Sequence, residues 1–192
     1  MQLEQAAQFI SGLLLTQLSD KLTYHDLDHT NGVLNAATEL AAAENVSDEH
    51  DLTLLRTAAL FHDCGYVNTY DQHEEESCQI ARDHLPNFGY SEEDIEVICS
   101  LIMKTKMPQQ PHTILEKILC DADLDYLGKD DFEETGNKLF KEWVAMGKIQ
   151  NEDEWNRKQI KFLESHTYWT ASALNSRNQK KAEHLQKLKD NI

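Results

Sequence analysis

Glycine and proline are scarce in this sequence, with seven and three copies among 192 residues. Because these residues mark turns, breaks and low-complexity segments, their scarcity excludes collagen-like chains and glycine-rich disordered chains. Hydrophobic residues make up 40% and charged residues 27%, as in ordinary globular proteins. Apolar residues recur at helical spacings without a convincing strand pattern, so we expect an all-α chain that forms one domain with its own core.

Positive charge and long hydrophobic runs are also lacking. The chain has 18 Lys and Arg against 34 Asp and Glu, a formal net charge of −16, which repels nucleic-acid phosphates and anionic lipids. The longest apolar runs, such as Ala58–Phe61, are far shorter than the roughly 20 residues of a membrane-spanning helix. No basic, apolar leader opens the chain, so we expect a cytoplasmic protein without a nucleic-acid polymer or a membrane as partner.

The helical pattern extends over residues 1–192 as a single domain. The predicted helices span 2–19, 25–44, 48–63, 72–85, 91–106, 112–122, 130–147 and 152–190, with a break in the last one near His166. Residues 22–128 contain the motifs described next, and the helices of residues 130–190 are expected to pack on them. Gly65 follows the end of a predicted helix, where a residue with positive φ is expected.

Polar residues interrupt three apolar stripes of the predicted helices. The stripes consist of His29, Val33, Ala36 and Leu40; of Leu52, Leu55, Ala59 and His62; and of Ile114, Ile118 and Asp121. Residues at these spacings share a helix face, so His29, His62 and Asp121 are expected to point inward. Asp63 follows His62 in the last turn, where a carboxylate opposes the helix dipole and favours a nearby cation.

These side chains together have the composition of a metal site. Two imidazoles and two carboxylates that converge from three helices suit zinc, manganese or iron(II), with open positions for water and substrate. A single inward histidine such as His29 is also explained as a hydrogen-bonded core residue. Burial of the whole set without a shared cation would be costly, which favours the metal site.

Four segments that contain these residues follow one another in an informative order. They are Tyr24-His25-Asp26-Leu27-Asp28-His29, Phe61-His62-Asp63-Cys64-Gly65-Tyr66, His73-Glu74 and Asp121-Ala122-Asp123-Leu124-Asp125. This order resembles the HD-domain superfamily of metal-dependent phosphohydrolases over roughly residues 22–128. The resemblance implies an HD-domain-like helical bundle and a metal held by His29, His62, Asp63 and Asp121. It also implies that Asp63 orients the attacking water.

His25 precedes His29 by one helical turn. The pair resembles the His-x-x-x-His opening of cyclic nucleotide phosphodiesterases, in which the first histidine donates a proton to the leaving oxygen and the second binds metal. The resemblance makes His25 a candidate general acid. A surface histidine at a helix N-terminus is the alternative.

The sequence departs from the superfamily at the second metal. Members with two metals use further histidines downstream, and the segment 102–106 contains none. His73 is therefore a candidate for a second metal ligand or a substrate contact. Lys104 and Lys106 are candidates for binding a substrate phosphate, with a solvated helix end as the alternative.

The resemblance implies a metal-dependent phosphohydrolase that acts on a nucleotide or another small phosphoester, either a phosphomonoester or a small phosphodiester. The expected cofactor is one or two divalent ions of manganese, zinc, iron or nickel, with magnesium also compatible. A homodimer is compatible with the long C-terminal helices. Two other functions stay open: a catalytically silent module that senses a nucleotide, and an oxygenase, which would need a binuclear iron centre.

Overall fold

The computed structural model describes residues 1–191 and contains nine α-helices and no β-strand within that range. The helices are α1 (Leu3–Gln17), α2 (Leu27–Ala43), α3 (Glu49–Phe61), α4 (His73–His84), α5 (Glu92–Thr105), α6 (Ile114–Asp123), α7 (Phe132–Ala145), α8 (Glu152–Ser165) and α9 (Ala171–Asp190). Short 3-10 helices lie at Cys64–Val67, Leu85–Phe88 and Asp125–Gly128. The all-α prediction is confirmed. The predicted interruption of the last helix near His166 is also confirmed, since α8 ends at Ser165 and α9 begins at Ala171. No helix in the described range has both the length and the hydropathy to cross a membrane.

Helix α3 supplies the centre of the core. Leu55, Ala58, Ala59 and Phe61 on this helix are completely buried. Helix α3 contacts α1, α2, α5 and α6, and α2 also packs directly against α6. The start of α2 and the ends of α3 and α6 lie close together, because side-chain atoms of His29, His62 and Asp123 at these three termini are within 4.8 Å of one another.

The loop between α8 and α9 attaches the C-terminal helices to α6. The buried carboxylate of Asp121 accepts hydrogen bonds from the backbone N–H groups of Trp169 and Thr170, both at 2.8 Å, and from Oγ1 of Thr170 at 2.7 Å. Arg177 on α9 binds the carboxylate of Asp125 at 2.7 Å. A charged acceptor with several donors is a strong anchor, so these contacts hold the loop and α9 against the end of α6.

Gly65 is required by close packing, and the prediction of a positive φ for it is wrong. Among the glycines, only Gly89 and Gly147 have positive φ. A Cβ atom on Gly65 would collide with the carbonyl oxygen of His73 and would lie 2.7 Å from the backbone nitrogen of Ser77. The N–H of Gly65 donates to Oγ of Ser77 at 2.8 Å. The absence of a side chain therefore lets the segment after Asp63 pack directly against the start of α4.

We expect Gly65→Ala to destabilise the protein by at least about 1–3 kcal/mol, because backbone atoms rather than flexible side chains block the added methyl group. Gly12→Ala on α1 is the matched control, since nothing lies within 4 Å of its Cβ position. Alanine in an exposed helix position stabilises by roughly 0.5–1 kcal/mol relative to glycine. Urea unfolding of both variants measures the effects, and equal stability of the two would contradict the packing role of Gly65.

His166 and Lys181 form a largely buried polar pair beside the α8–α9 loop. Nζ of Lys181 donates to the carbonyl oxygen of His166 at 2.5 Å and lies 3.3 Å from its Nδ1. Burial, together with the positive charge of Lys181, lowers the pKa of His166 to about 4. His166 is therefore neutral in the folded protein at neutral pH.

This pair is expected to weaken the fold in acid. Because the folded-state pKa of His166 lies below the unfolded value of about 6.5, only the unfolded chain takes up this proton between about pH 6.5 and pH 4. The free energy of unfolding should therefore fall by about 2–3 kcal/mol more in the wild type than in His166→Gln between pH 7 and pH 4.5. Exposed His112 supplies the control variant, His112→Gln, which should follow the wild type. Parallel curves of the free energy of unfolding against pH for the wild type and His166→Gln would refute this expectation.

Candidate metal centre

Four metal-ligating side chains converge where α2 begins and where α3 and α6 end. His29 lies in the first turn of α2, and the side chain of Asp26 caps this turn by accepting the N–H of His29 at 2.9 Å. His62 and Asp63 directly follow the last residue of α3, and Asp123 is the last residue of α6. Each ligand atom therefore has a helix terminus that holds it in place.

The ligand atoms have the spacing of a coordination shell. Nε2 of His29 lies 3.3 Å from Oδ2 of Asp63 and 3.3 Å from Oδ1 of Asp123. Nε2 of His62 lies 3.1 Å and 3.5 Å from the same two oxygens. Metal bonds of about 2.0–2.2 Å to imidazole and carboxylate place neighbouring ligand atoms about 3–3.5 Å apart. The cluster therefore has the dimensions to hold one ion.

The hydrogen bonding of the cluster also fits a metal. His62 donates from Nδ1 to the carbonyl oxygen of Ala59 at 2.8 Å, which turns Nε2 toward the cluster. The Nε2 atoms of His62 and His29 face each other at 3.3 Å. Oδ2 of Asp63 is buried and accepts no hydrogen bond from the described residues. Nitrogen and oxygen atoms that converge in a buried place need positive charge between them, supplied either by protons on the imidazoles or by a metal ion, so this donor set fits a divalent metal ion.

The electrostatics of the cluster point the same way. Burial alone would lower the pKa of His62, but Asp63 and Asp123 raise it well above its usual value. Burial would raise the pKa of Asp63, whereas the neighbouring His62 and His29 hold it well below its usual value. Asp63 therefore stays ionised at neutral pH, and the cluster attracts positive charge.

The predicted ligand Asp121 needs a correction. Asp121 is completely buried, as its stripe predicts, but it faces Trp169 and Thr170 in the α8–α9 loop. Asp123 lies with His29, His62 and Asp63 instead. Residues two apart on an α-helix point about 200° apart around the axis, so only one of the two aspartates can face α2 and α3.

His73 lies beside the cluster at the first position of α4. Its Nε2 is 3.4 Å from Oδ1 of Asp63, the oxygen that does not face His29 and His62. Its ring stacks on Tyr66 with 3.9 Å between centroids. The close packing at Gly65 positions His73 here, so it stays a candidate for a second metal ligand or a substrate contact.

His25 lies just before α2, and a glutamate that the sequence prediction missed holds its ring. Nδ1 of His25 is 2.5 Å from Oε1 of Glu142 on α7. Nε2 of His25 is 3.4 Å from the hydroxyl of Tyr66, on which the ring stacks at 4.4 Å. The side chain of His25 is only 15% exposed. The structure therefore excludes the solvated surface histidine that was the alternative.

A cavity of about 810 Å³ adjoins the cluster and extends to α7 and α8. His25, Asp63, His73 and Asp123 belong to its wall. The other lining side chains include cationic and aromatic groups, namely Lys106, Lys148, Lys158, Lys161, Tyr66, Tyr70, Trp143, Trp155 and Phe162. The cavity therefore places positive charge and aromatic rings next to the cluster of His29, His62, Asp63 and Asp123 in an acidic protein.

Of the two lysines predicted to bind phosphate, only Lys106 lines this cavity, where it pairs with Glu75. Lys104 is not part of the cavity wall, and its charge acts on Glu116 instead. The physical reason is that Lys104 lies within α5, whereas Lys106 directly follows its last residue, where the chain leaves the helix.

Glu142, Lys158 and Lys161 were missed by the sequence prediction for different reasons. Glu142 had a signal in the sequence, since Phe132, Leu139 and Glu142 are seven and three residues apart and share a helix face. The stripe argument that placed Asp121 inward also applies to Glu142. Lys158 and Lys161 had no such signal, because lysines on a charged helix usually face solvent.

Comparisons with known proteins identify a family whose sequence profile matches this chain and solved structures that share its fold. The sequence profile of the HD domain matches residues 26–125, just over half of the chain. A predicted HD superfamily hydrolase from an uncultured Thermotogales bacterium is 22% identical, with a TM-score of 0.62, over 95% of this chain and 89% of that one. YpgQ of Bacillus subtilis, solved in complex with ADP, is 22% identical, with a TM-score of 0.66, over 100% and 98% of the two chains. The Lin1889 protein of Listeria innocua is 20% identical, with a TM-score of 0.62, over 98% and 96%. No curated protein sequence matches significantly.

Proposed function

Since this chain belongs to the HD-domain family, we propose that it is a metal-dependent phosphohydrolase acting on a nucleotide or another small phosphoester. The observation that carries the proposal is that a cluster able to hold a metal adjoins a cavity whose wall includes His25 and several lysines. YpgQ, which has the same fold, was solved with ADP, and this supports a nucleotide as the phosphoester.

We assign the metal to His29, His62, Asp63 and Asp123. Two imidazole nitrogens and two carboxylate oxygens suit zinc, manganese, iron(II) or nickel better than magnesium, which prefers oxygen ligands alone. Such an ion supplies Lewis acidity, which lowers the pKa of water toward about 7 and polarises a phosphoryl oxygen. A second ion would use His73 and Oδ1 of Asp63, which are 3.4 Å apart.

Two residues of the chain would handle the protons of the reaction. Asp63 belongs to both the cluster and the cavity wall, so its carboxylate can accept a hydrogen bond from the attacking water and orient it. His25 lies in the same wall with Nδ1 held by Glu142, which leaves Nε2 to donate a proton to the leaving oxygen.

The cavity favours a small anionic substrate. Its volume of about 810 Å³ lies in the range of about 300–1,000 Å³ that is usual for small-molecule sites. Lys148 and Lys158 pair with Asp71 and Glu154 through partly exposed contacts of 2.8 and 3.5 Å. Such pairs are weak, so a phosphate can replace the carboxylate. A long polynucleotide would bring many phosphates against a protein of net charge −16.

The decisive experiment is a screen for phosphate and pyrophosphate release. Nucleoside mono-, di- and triphosphates, cyclic nucleotides, simple phosphoesters and oligonucleotides are each incubated with metal-free protein and with Mn²⁺, Zn²⁺, Fe²⁺, Ni²⁺ or Mg²⁺. We expect release that requires metal, is fastest for one class of small phosphoester and is abolished in Asp63→Asn.

Other outcomes would identify the competing functions. Faster hydrolysis of oligonucleotides than of every small ester would overturn the substrate class. Metal-loaded protein that binds nucleotides without turnover would be a sensing module. Oxygen consumption with Fe²⁺ and no phosphate release would point to an oxygenase.

A further inference from the structure

Glu142 is a completely buried carboxylate on α7, outside the residues that match the HD domain. Its Oε2 accepts the backbone N–H groups of Tyr24 and His25 at 3.0 and 3.1 Å. Its Oε1 accepts the hydroxyl of Tyr70 at 3.2 Å and faces Nδ1 of His25 at 2.5 Å. One oxygen thus holds the backbone of the segment before α2, and the other holds the ring of His25.

The ionised state of Glu142 decides which nitrogen of His25 carries a proton. Burial alone would raise the pKa of Glu142, but hydrogen bonds from His25 and the backbone of Tyr24 hold it below its usual value. A carboxylate only accepts hydrogen bonds, so Nδ1 of His25 must be the donor. The neutral ring therefore carries its proton on Nδ1, and Nε2 is left for the cavity side.

We propose that Glu142 is the positioning residue of His25: it holds a proton on Nδ1 and keeps Nε2, the nitrogen from which His25 acts as general acid, on the cavity side. This inference rests on the proposed phosphohydrolase function. In the step, the P–O bond to the leaving group breaks and its electron pair stays on the leaving oxygen. That oxygen takes the proton from Nε2 of His25. Water adds its oxygen to phosphorus and releases one proton to solvent, and His25 regains its proton from solvent.

The variant Glu142→Gln isolates this role, because it keeps the size of the side chain and one acceptor oxygen. Two backbone N–H groups require that oxygen, so the new NH₂ group must face His25. Two donors cannot face each other, which forces Nδ1 to become an acceptor. The ring proton therefore moves to Nε2.

The first measurement is independent of turnover. Long-range ¹H–¹⁵N NMR of histidine-labelled protein assigns the tautomer of His25, with His25→Gln identifying its signals. We expect the Nδ1–H form in the wild type and the Nε2–H form in Glu142→Gln. Exposed Glu134 on the same helix provides the control, since Glu134→Gln removes the same charge and should leave the tautomer unchanged. An unchanged tautomer in Glu142→Gln would overturn the inference.

The second measurement asks whether Glu142 acts through His25. We expect Glu142→Gln to lower kcat by roughly 10–10³-fold with unchanged metal content and a similar KM. The double variant His25→Ala/Glu142→Gln should be no slower than His25→Ala alone, because the two residues work as a unit. If the double variant is slower than His25→Ala by the same factor that Glu142→Gln causes alone, Glu142 supports the fold instead. If the wild type hydrolyses no phosphoester, the proposed function fails, while the tautomer still decides whether Glu142 positions His25.

Discussion

Asp123→Asn should remove the metal and reduce turnover to background, whereas Asp121→Asn should keep the metal. Asp123 contributes an oxygen at 3.3 and 3.5 Å from the two histidines of the cluster. Its loss should cost more affinity than the roughly 10–100-fold that follows loss of a partner outside the coordination shell. Metal analysis after dialysis against a weak chelator measures the stoichiometry of each variant.

Thermal stability with and without metal gives a second readout for Asp123→Asn. A ligand that binds only the folded state stabilises by mass action, by about 2.7 kcal/mol at a concentration 100 times its Kd. The wild type should show this rise on addition of metal, and Asp123→Asn should not. Full metal content in this variant would remove Asp123 from the ligand set.

The contrasting result for Asp121→Asn follows from its different contacts. The Asp121 carboxylate accepts three hydrogen bonds from Trp169 and Thr170. An asparagine satisfies only part of these donors, so we expect a loss of about 1–3 kcal/mol in the free energy of unfolding. Metal stoichiometry should stay at the wild-type value. Loss of metal without loss of stability would restore the assignment made from the sequence.

His25→Ala should lower turnover by roughly 10²–10⁴-fold while the protein keeps its metal, because a positioned general acid contributes about this much. The ring of His25 lines the cavity, and its centroid is 5.8 Å from that of His29, so it lies near the cluster. Steady-state kinetics on the substrate found by the screen, together with metal analysis of the same samples, measures both effects.

Two comparisons make the result for His25 specific. His112→Ala removes an exposed imidazole and should leave kinetics and metal content unchanged. A substrate with a good leaving group, such as a nitrophenyl ester, needs little help from an acid and should lose much less rate in His25→Ala. Parallel loss of metal and activity in His25→Ala would make this residue a ligand rather than an acid.

The sequence determined the helices and the inward direction of several polar residues. Scarce glycine and proline and the helical spacing of apolar residues predicted an all-α chain, and the same spacing placed His62 and Asp121 in the interior, where both are completely buried. The order of the histidine and aspartate segments was enough to recognise the HD domain. These are local properties, since periodicity and short motifs depend only on neighbours along the chain.

Only the tertiary structure decided which buried group meets which partner. Periodicity shows that a residue faces inward, but it does not show which element lies opposite. The inward stripe therefore predicted Asp121 as a ligand, but its carboxylate contacts the α8–α9 loop. Asp123 faces the histidines instead. Glu142 reaches His25 across 117 residues of sequence. Contacts over such separations arise from the packing of whole helices, and no pattern along the chain encodes them.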